Sequence, residues 1–261
     1  MKLFYRYYPS ANERAPLLIL HGLFGSSDNW HTLAKRFSEH FPVYAFDLRN
    51  HGASSHGAPH TYPAMAEDLN ETIVTEGLPV PFHLLGHSMG AKVALTYLGV
   101  HPHHLKTLIL VDMTEREYTN RHETILYALQ HLPLDQIQTR TMADQWLQQW
   151  IPEASVRQFL LKNLILDHQT KRYHWRFNLK QLIQDYHHVL QEVPLPESIS
   201  VPTLLLFGER SDYVTEEDIQ RLSRRFSRIQ FLRFKDTGHW IHAEAPDPFY
   251  HAVFRFILAN L

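Results

Sequence analysis

The stretch FHLLGHSMGAKVALTYLG, residues 82–99, changes its periodicity in the middle. Residues 82–85 are a short apolar run, as in a strand buried on both faces, whereas 91–99 carries apolar residues at helical spacing. Between them stands Gly86-His87-Ser88-Met89-Gly90. A serine there occupies a sharp strand-to-helix turn, and the flanking glycines let the two backbones approach closely. The start of the helix aims free N–H groups at the serine, where negative charge gathers during acyl transfer. Gly-X-Ser-X-Gly recurs by chance, but a strand before it and a helix after it make Ser88 a candidate nucleophile.

Outward from this turn, short apolar runs alternate with amphipathic stretches. Strands are expected at 17–20, 43–46, 108–111, 203–207 and 231–234, and helices at 30–39, 64–76 and 246–260. Such alternation implies right-handed crossovers and a doubly wound, mostly parallel α/β sheet. Residues 2–8 alternate roughly between polar and apolar and fit an antiparallel edge strand. The alternation stops between Met113 and Pro196, where helices are expected at 119–131, 142–149, 155–164 and 179–191, with no strand-like run among them. Residues 113–196 therefore read as a helical cap inserted into a core made of 1–112 and 197–261. Apolar cap residues such as Trp146 are expected to face the site.

Composition narrows the partners. Lys and Arg total 25 against 27 Asp and Glu, so there is no basic surplus to bind nucleic acid. Cysteine is absent, which removes disulfides, thiolate metal ligands and a thiol nucleophile together. The 20 histidines are scattered without HExxH spacing, so no metal site and no cofactor are expected. No apolar run approaches the length of a membrane span, and the first residues show no long apolar signal region. A cytoplasmic protein acting on a small molecule is the expectation.

Partners for Ser88 lie after other strands. His21-Gly22-Leu23-Phe24-Gly25 follows the 17–20 run, where one backbone oxyanion donor is expected. Leu23 is assigned that role, with Phe24 as the neighbouring alternative, and Met89 supplies the second N–H. Asp236-Thr237-Gly238-His239-Trp240 follows the last strand, and His239 is the candidate base, with His242 its rival three residues on. The order serine, acid, histidine admits both Asp112, at the end of the 108–111 strand, and Asp212, after the 203–207 strand. Asp47 precedes Ser88 and reads as a structural turn residue.

The segments HGLFGSSDNW (21–30), DLRNHGASS (47–55), GHSMGAK (86–92), LVDM (110–113), WRFNL (175–179) and GHWIHAEAP (238–246) span nearly the whole chain. Together they resemble the α/β-hydrolase superfamily, and more narrowly the YbfF-type esterase and thioesterase group with its abhydrolase-domain relatives. That resemblance implies hydrolysis of acyl esters or acyl-CoA thioesters beneath a small helical cap. Many superfamily members carry their acid where this chain has Ser211, with Asp212 one residue further. The narrower group resembles this chain in pairing a serine there with an aspartate at the position of Asp112. A one-residue shift on a turn re-aims a side chain, so Asp112 is the expected acid and Ser211 an auxiliary that bonds to Asp112 or His239.

Two rival functions share the fold. A C–C-bond hydrolase or menaquinone-pathway-type lyase would need cap arginines to clamp carboxylates, and Arg121, Arg140, Arg157, Arg172 and Arg176 are candidates. A ligand-binding protein without catalysis would have no reason to keep Ser88, His239 and an acid together.

Overall fold

The computed structural model describes all 261 residues. In chain order the strands are β1 (Tyr5–Tyr8), β2 (Leu17–Leu20), β3 (Val43–Phe46), β4 (Phe82–His87), β5 (Leu105–Val111), β6 (Leu164–Leu166), β7 (Tyr173–Trp175), β8 (Thr203–Gly208) and β9 (Ile229–Phe234). Seven of them form one sheet in the order β1-β3-β2-β4-β5-β8-β9. All its pairings are parallel except that of β1 with β3. Every residue of β2 and β4 is buried, which explains why these central strands read as unbroken apolar runs. At the edge, β1 is shorter than expected. The N–H groups of Leu3 and Phe4 donate instead to the hydroxyls of Thr72 and Ser54, so side chains take the place of a longer ladder.

Helices cover both faces. One face carries α1 (His31–Phe37) and the C-terminal helix α11 (Pro246–Leu258), preceded by the single turn α10 (Ile241–Glu244). The other carries α2 (Tyr62–Glu76), α3 (Met89–Val100) and α9 (Glu216–Arg225). The bounds of α2 follow from its ends. The Thr61 hydroxyl accepts from the Ala64 N–H at the start, and Gly77 closes the helix with φ +61°.

Between β5 and β8 lie α4 (Glu123–His131), α5 (Arg140–Leu147), α6 (Ala154–Leu161), α7 (Leu179–Gln184) and α8 (Tyr186–Leu190). This stretch is not wholly helical. β6 and β7 pair as an antiparallel ribbon that takes up Leu164, expected to end a helix. Three-residue strands lie below the length at which alternation is visible in sequence. The helix expected over 179–191 is broken at Asp185, whose carboxylate leaves the helical register to accept from the His60 N–H (2.6 Å) and the Gln181 amide (2.7 Å). No helix is long and apolar enough to cross a membrane.

Several of the histidines are core residues. His51, His60, His83, His87 and His242 are all buried. Desolvation pushes His60 and His83 down to about 4 and His242 to about 3, and carries His51 and His87 well below the ordinary value. Unfolded, each titrates near 6.5. Below that pH the unfolded chain takes up protons that the folded chain refuses, so the stability present above pH 6.5 is lost as pH falls toward the folded values. Each such group contributes roughly 1 kcal/mol per pH unit over that window. Equilibrium urea unfolding should therefore show stability dropping by several kcal/mol between pH 7 and 5. His242→Phe should make that slope shallower by about one proton.

Candidate active site

The site lies at the carboxyl ends of β2, β4, β5 and β8, where an open parallel sheet leaves its strand ends unfilled. Ser88 follows β4 with φ +53° and ψ −121°, a region that a non-glycine residue occupies only under constraint. The constraint is backbone packing. A Cβ on Gly86 would stand 2.3 Å from the Gly90 carbonyl oxygen, and one on Gly90 would stand 2.5 Å from that of Leu20. The Ser88 N–H still donates to the Val111 oxygen at 3.0 Å, so the turn remains bound to β5.

Ser88 Oγ lies 2.9 Å from His239 Nε2, and His239 Nδ1 lies 2.6 Å from Asp112 Oδ2. The carboxylate accepts the Nδ1 proton, which leaves Nε2 free to accept from the serine hydroxyl. Asp112 is fully buried with φ +51°. Its Oδ1 accepts from the Gly208 N–H at 3.0 Å, and Ser211 donates its hydroxyl to Oδ2. Ser211 thus bonds to Asp112 and not to His239. The loop bearing His239 reaches this point because Gly208 has no side chain. A Cβ there would lie 2.2 Å from the Gly238 oxygen.

The competing residues lie elsewhere. Asp212 is 79% exposed and pairs with Arg121. His242 stacks on Trp30 at 4.4 Å and makes no hydrogen bond to Ser88. Asp47 accepts from the Ser27 and Ala53 N–H groups at 2.6 and 2.7 Å, as a turn residue does. Trp146 lines neither of the cavities described below and packs near Trp150 instead.

The two backbone donors are also distinguishable. The Phe24 N–H donates to His51 Nε2 at 3.1 Å, whereas those of Leu23 and Met89 have no protein acceptor. Free N–H groups beside a serine hydroxyl can bind an oxyanion. His51 was not legible as part of the site. Its ring donates from Nδ1 to the Arg49 oxygen at 2.9 Å, so Nε2 must be the acceptor, and burial keeps the ring neutral. His87 plays a similar part, donating from Nε2 to the His239 oxygen at 3.0 Å. Tyr213 stacks on the His239 ring at 4.1 Å.

Two cavities meet at Ser88. The inner one spans about 350 Å³, most of it solvent-facing or too narrow for a water, and is walled by Tyr62, Met89, Met113, Tyr118, Tyr186 and Val189 among others. The outer one has about 1730 Å³, partly open to solvent, with His239, Trp240, Ile125, Val156 and Phe159 on its walls. Leu23 and Ser88 border both, and His239 borders only the outer one.

A strained serine, an imidazole and a buried carboxylate in hydrogen-bonded sequence, on a sheet of this topology, define a class. The chain belongs to the alpha/beta hydrolase family, whose model matches residues 15–246. Among its relatives is the esterase YbfF of Escherichia coli, 32% identical over 98% of this chain and 99% of that protein. The zebrafish sn-1-specific diacylglycerol lipase ABHD11 is 33% identical over 98% of this chain and 83% of its own. A solved marine microorganism esterase superposes with a TM-score of 0.93 at 33% identity, covering 98% of this chain and 99% of that one.

His51→Leu would leave the buried Phe24 N–H without an acceptor. It should destabilise the fold by about 1–3 kcal/mol in urea unfolding. His51→Asn, which retains an acceptor, should lose less.

Proposed function

We propose that the protein is a serine hydrolase of carboxylic esters, with Ser88 the nucleophile, His239 the base, Asp112 its partner and Ser211 an auxiliary on that carboxylate. The observation that carries this is the contact of His239 with Ser88 on one side and Asp112 on the other. Ser88 Oγ attacks the acyl carbon while its proton passes to His239 Nε2. The oxyanion is held by the N–H groups of Leu23 and Met89. The proton then goes to the leaving oxygen, the alcohol departs, and water repeats the sequence to release the acid. The relatives named esterase and lipase support this reading. Small-molecule acyl esters are the substrates proposed, with acyl-CoA thioesters a chemically equivalent extension. The stretch 113–196 acts as the cap that shapes the site, and the setting is cytoplasmic.

Carboxylate-clamping chemistry is less well supported. Of the five candidate arginines only Arg121 borders either cavity at Ser88, and Asp212 neutralises it. Arg140, Arg157 and Arg176 spend their donors on Leu164, Asp144 and Asp28 respectively.

Ser88→Ala should abolish ester turnover with the circular dichroism spectrum unchanged, and a serine-directed phosphonate should label Ser88 alone. Asp112→Asn should lower kcat by about 10³–10⁴, because the imidazole loses its held tautomer. Under the same assay Asp212→Asn should stay near wild type and Ser211→Ala should fall between. An inactive Asp212→Asn beside an active Asp112→Asn would falsify the assignment of the acid.

A further inference from the structure

We propose that the two cavities sort the halves of the substrate, so that a short acyl group enters the inner cavity while a larger alcohol or thiol occupies the outer one. This rests on the ester-hydrolase reading above and specifies its substrate class. The direction follows from the proton. When the bond between the acyl carbon and the leaving oxygen breaks, that oxygen must take the proton held on His239 Nε2, so the leaving group lies where His239 can reach it. His239 borders only the outer cavity. The carbonyl oxygen must at the same moment meet the N–H groups of Leu23 and Met89, both on the wall of the inner cavity. A tetrahedral carbon bonded to Ser88, with its leaving oxygen and its oxyanion so directed, turns its remaining substituent, the acyl chain, into the inner cavity.

That cavity is small and stiff. Its empty space admits little more than one water-sized sphere between the side chains. Three of the four tyrosines that wall it are tied at their far ends. Tyr62 donates to the Val189 oxygen at 2.6 Å, Tyr118 to the Tyr213 oxygen at 2.9 Å, and the Tyr186 hydroxyl meets His122 Nδ1 at 2.7 Å. Behind them the ammonium of Lys92, fully buried one turn after Ser88, donates to the Gln191 oxygen at 2.5 Å and sits 4.8 Å from the centre of the Tyr118 ring. An additional methylene therefore meets rings that must give up a hydrogen bond to move aside. The outer cavity is several times larger, so it places no comparable limit on the alcohol.

The experiment compares kcat/KM for p-nitrophenyl acetate, butyrate and octanoate, and for 2-naphthyl acetate, in wild type and three variants. Wild type should hydrolyse the octanoate about 100-fold or more less efficiently than the acetate, since each methylene that does not fit costs about tenfold or more. Met113→Ala and Val189→Ala, which shorten inner walls, should each raise the octanoate-to-acetate ratio at least tenfold. Two variants are used so that a folding defect in one leaves the other to decide. Phe159→Ala, in the outer wall, should change KM for 2-naphthyl acetate and leave the acyl-length ratio where it was. Wild type that prefers octanoate, or a ratio that moves with Phe159→Ala and not with the inner variants, overturns the assignment of the cavities while ester hydrolysis itself stands. Absence of turnover on every ester, with Ser88 unlabelled by phosphonate, overturns the underlying reading as well.

Discussion

At the start of α3 the helix backbone lies directly against β2 and β4, with no side chain between them. The glycines at 86 and 90 leave no room for a Cβ, since the carbonyl oxygens of Gly90 and Leu20 stand 2.3 and 2.5 Å from where one would be. Close approach forces the chain to reverse within three residues, and the reversal holds Ser88 at φ +53°. The same contact sets the first free N–H of α3, at Met89, beside the end of β2, from which the chain runs straight to Leu23. Because Ser88 keeps its bond to Val111, the residue that follows β5, Asp112, stands next to the serine turn. One backbone contact thereby positions the Ser88 hydroxyl, the free N–H groups of Leu23 and Met89, and the strand end that leads into Asp112.

The histidines divide by environment rather than by sequence. Buried and neutral, an imidazole is both a donor and an acceptor, so it can bridge two backbone groups with fixed polarity. His21 donates from Nδ1 to the Gly22 oxygen at 2.8 Å and accepts the Leu48 N–H at Nε2, 3.0 Å away. His51 repeats the arrangement between Arg49 and Phe24. Protonating either ring would set N–H against N–H in a desolvated place. His239 differs because its two partners are a carboxylate and a hydroxyl.

The stretch between β5 and β8 is braced on the loop that carries Leu23. The Asn163 amide donates to the Phe24 oxygen at 2.8 Å, and Phe177 packs on Phe24 with ring centres 5.2 Å apart. Asn178 donates its backbone N–H to the Asn50 oxygen at 2.9 Å and its side-chain amide to the Asn50 side chain at 3.1 Å. The motifs RNHG and WRFN, far apart in sequence, are thus the two halves of one docking contact. The cavity walls above Ser88 and the Leu23 loop beside it share a support.

The central strands, the turn at Ser88 and the loop bearing His239 can be read along the chain. Each is a local signal: a run of apolar residues, a glycine pair, or a short polar loop between a strand and a helix. Local signals do not survive where short elements depend on distant partners, and so the β6–β7 ribbon and the break at Asp185 were not legible. The choice of acid was narrowed to two residues by order along the chain, and family resemblance favoured one. Only the tertiary structure showed that Asp112, 127 residues from His239, meets its ring, while Asp212 turns outward to Arg121. It also showed that the Phe24 N–H is occupied while that of Leu23 is free, because the His51 ring that accepts from Phe24 arrives from another strand end. Periodicity along a chain reports which face of an element is buried. Which donor meets which acceptor is decided by neighbouring strands, whose order in the sheet differs from their order in the sequence.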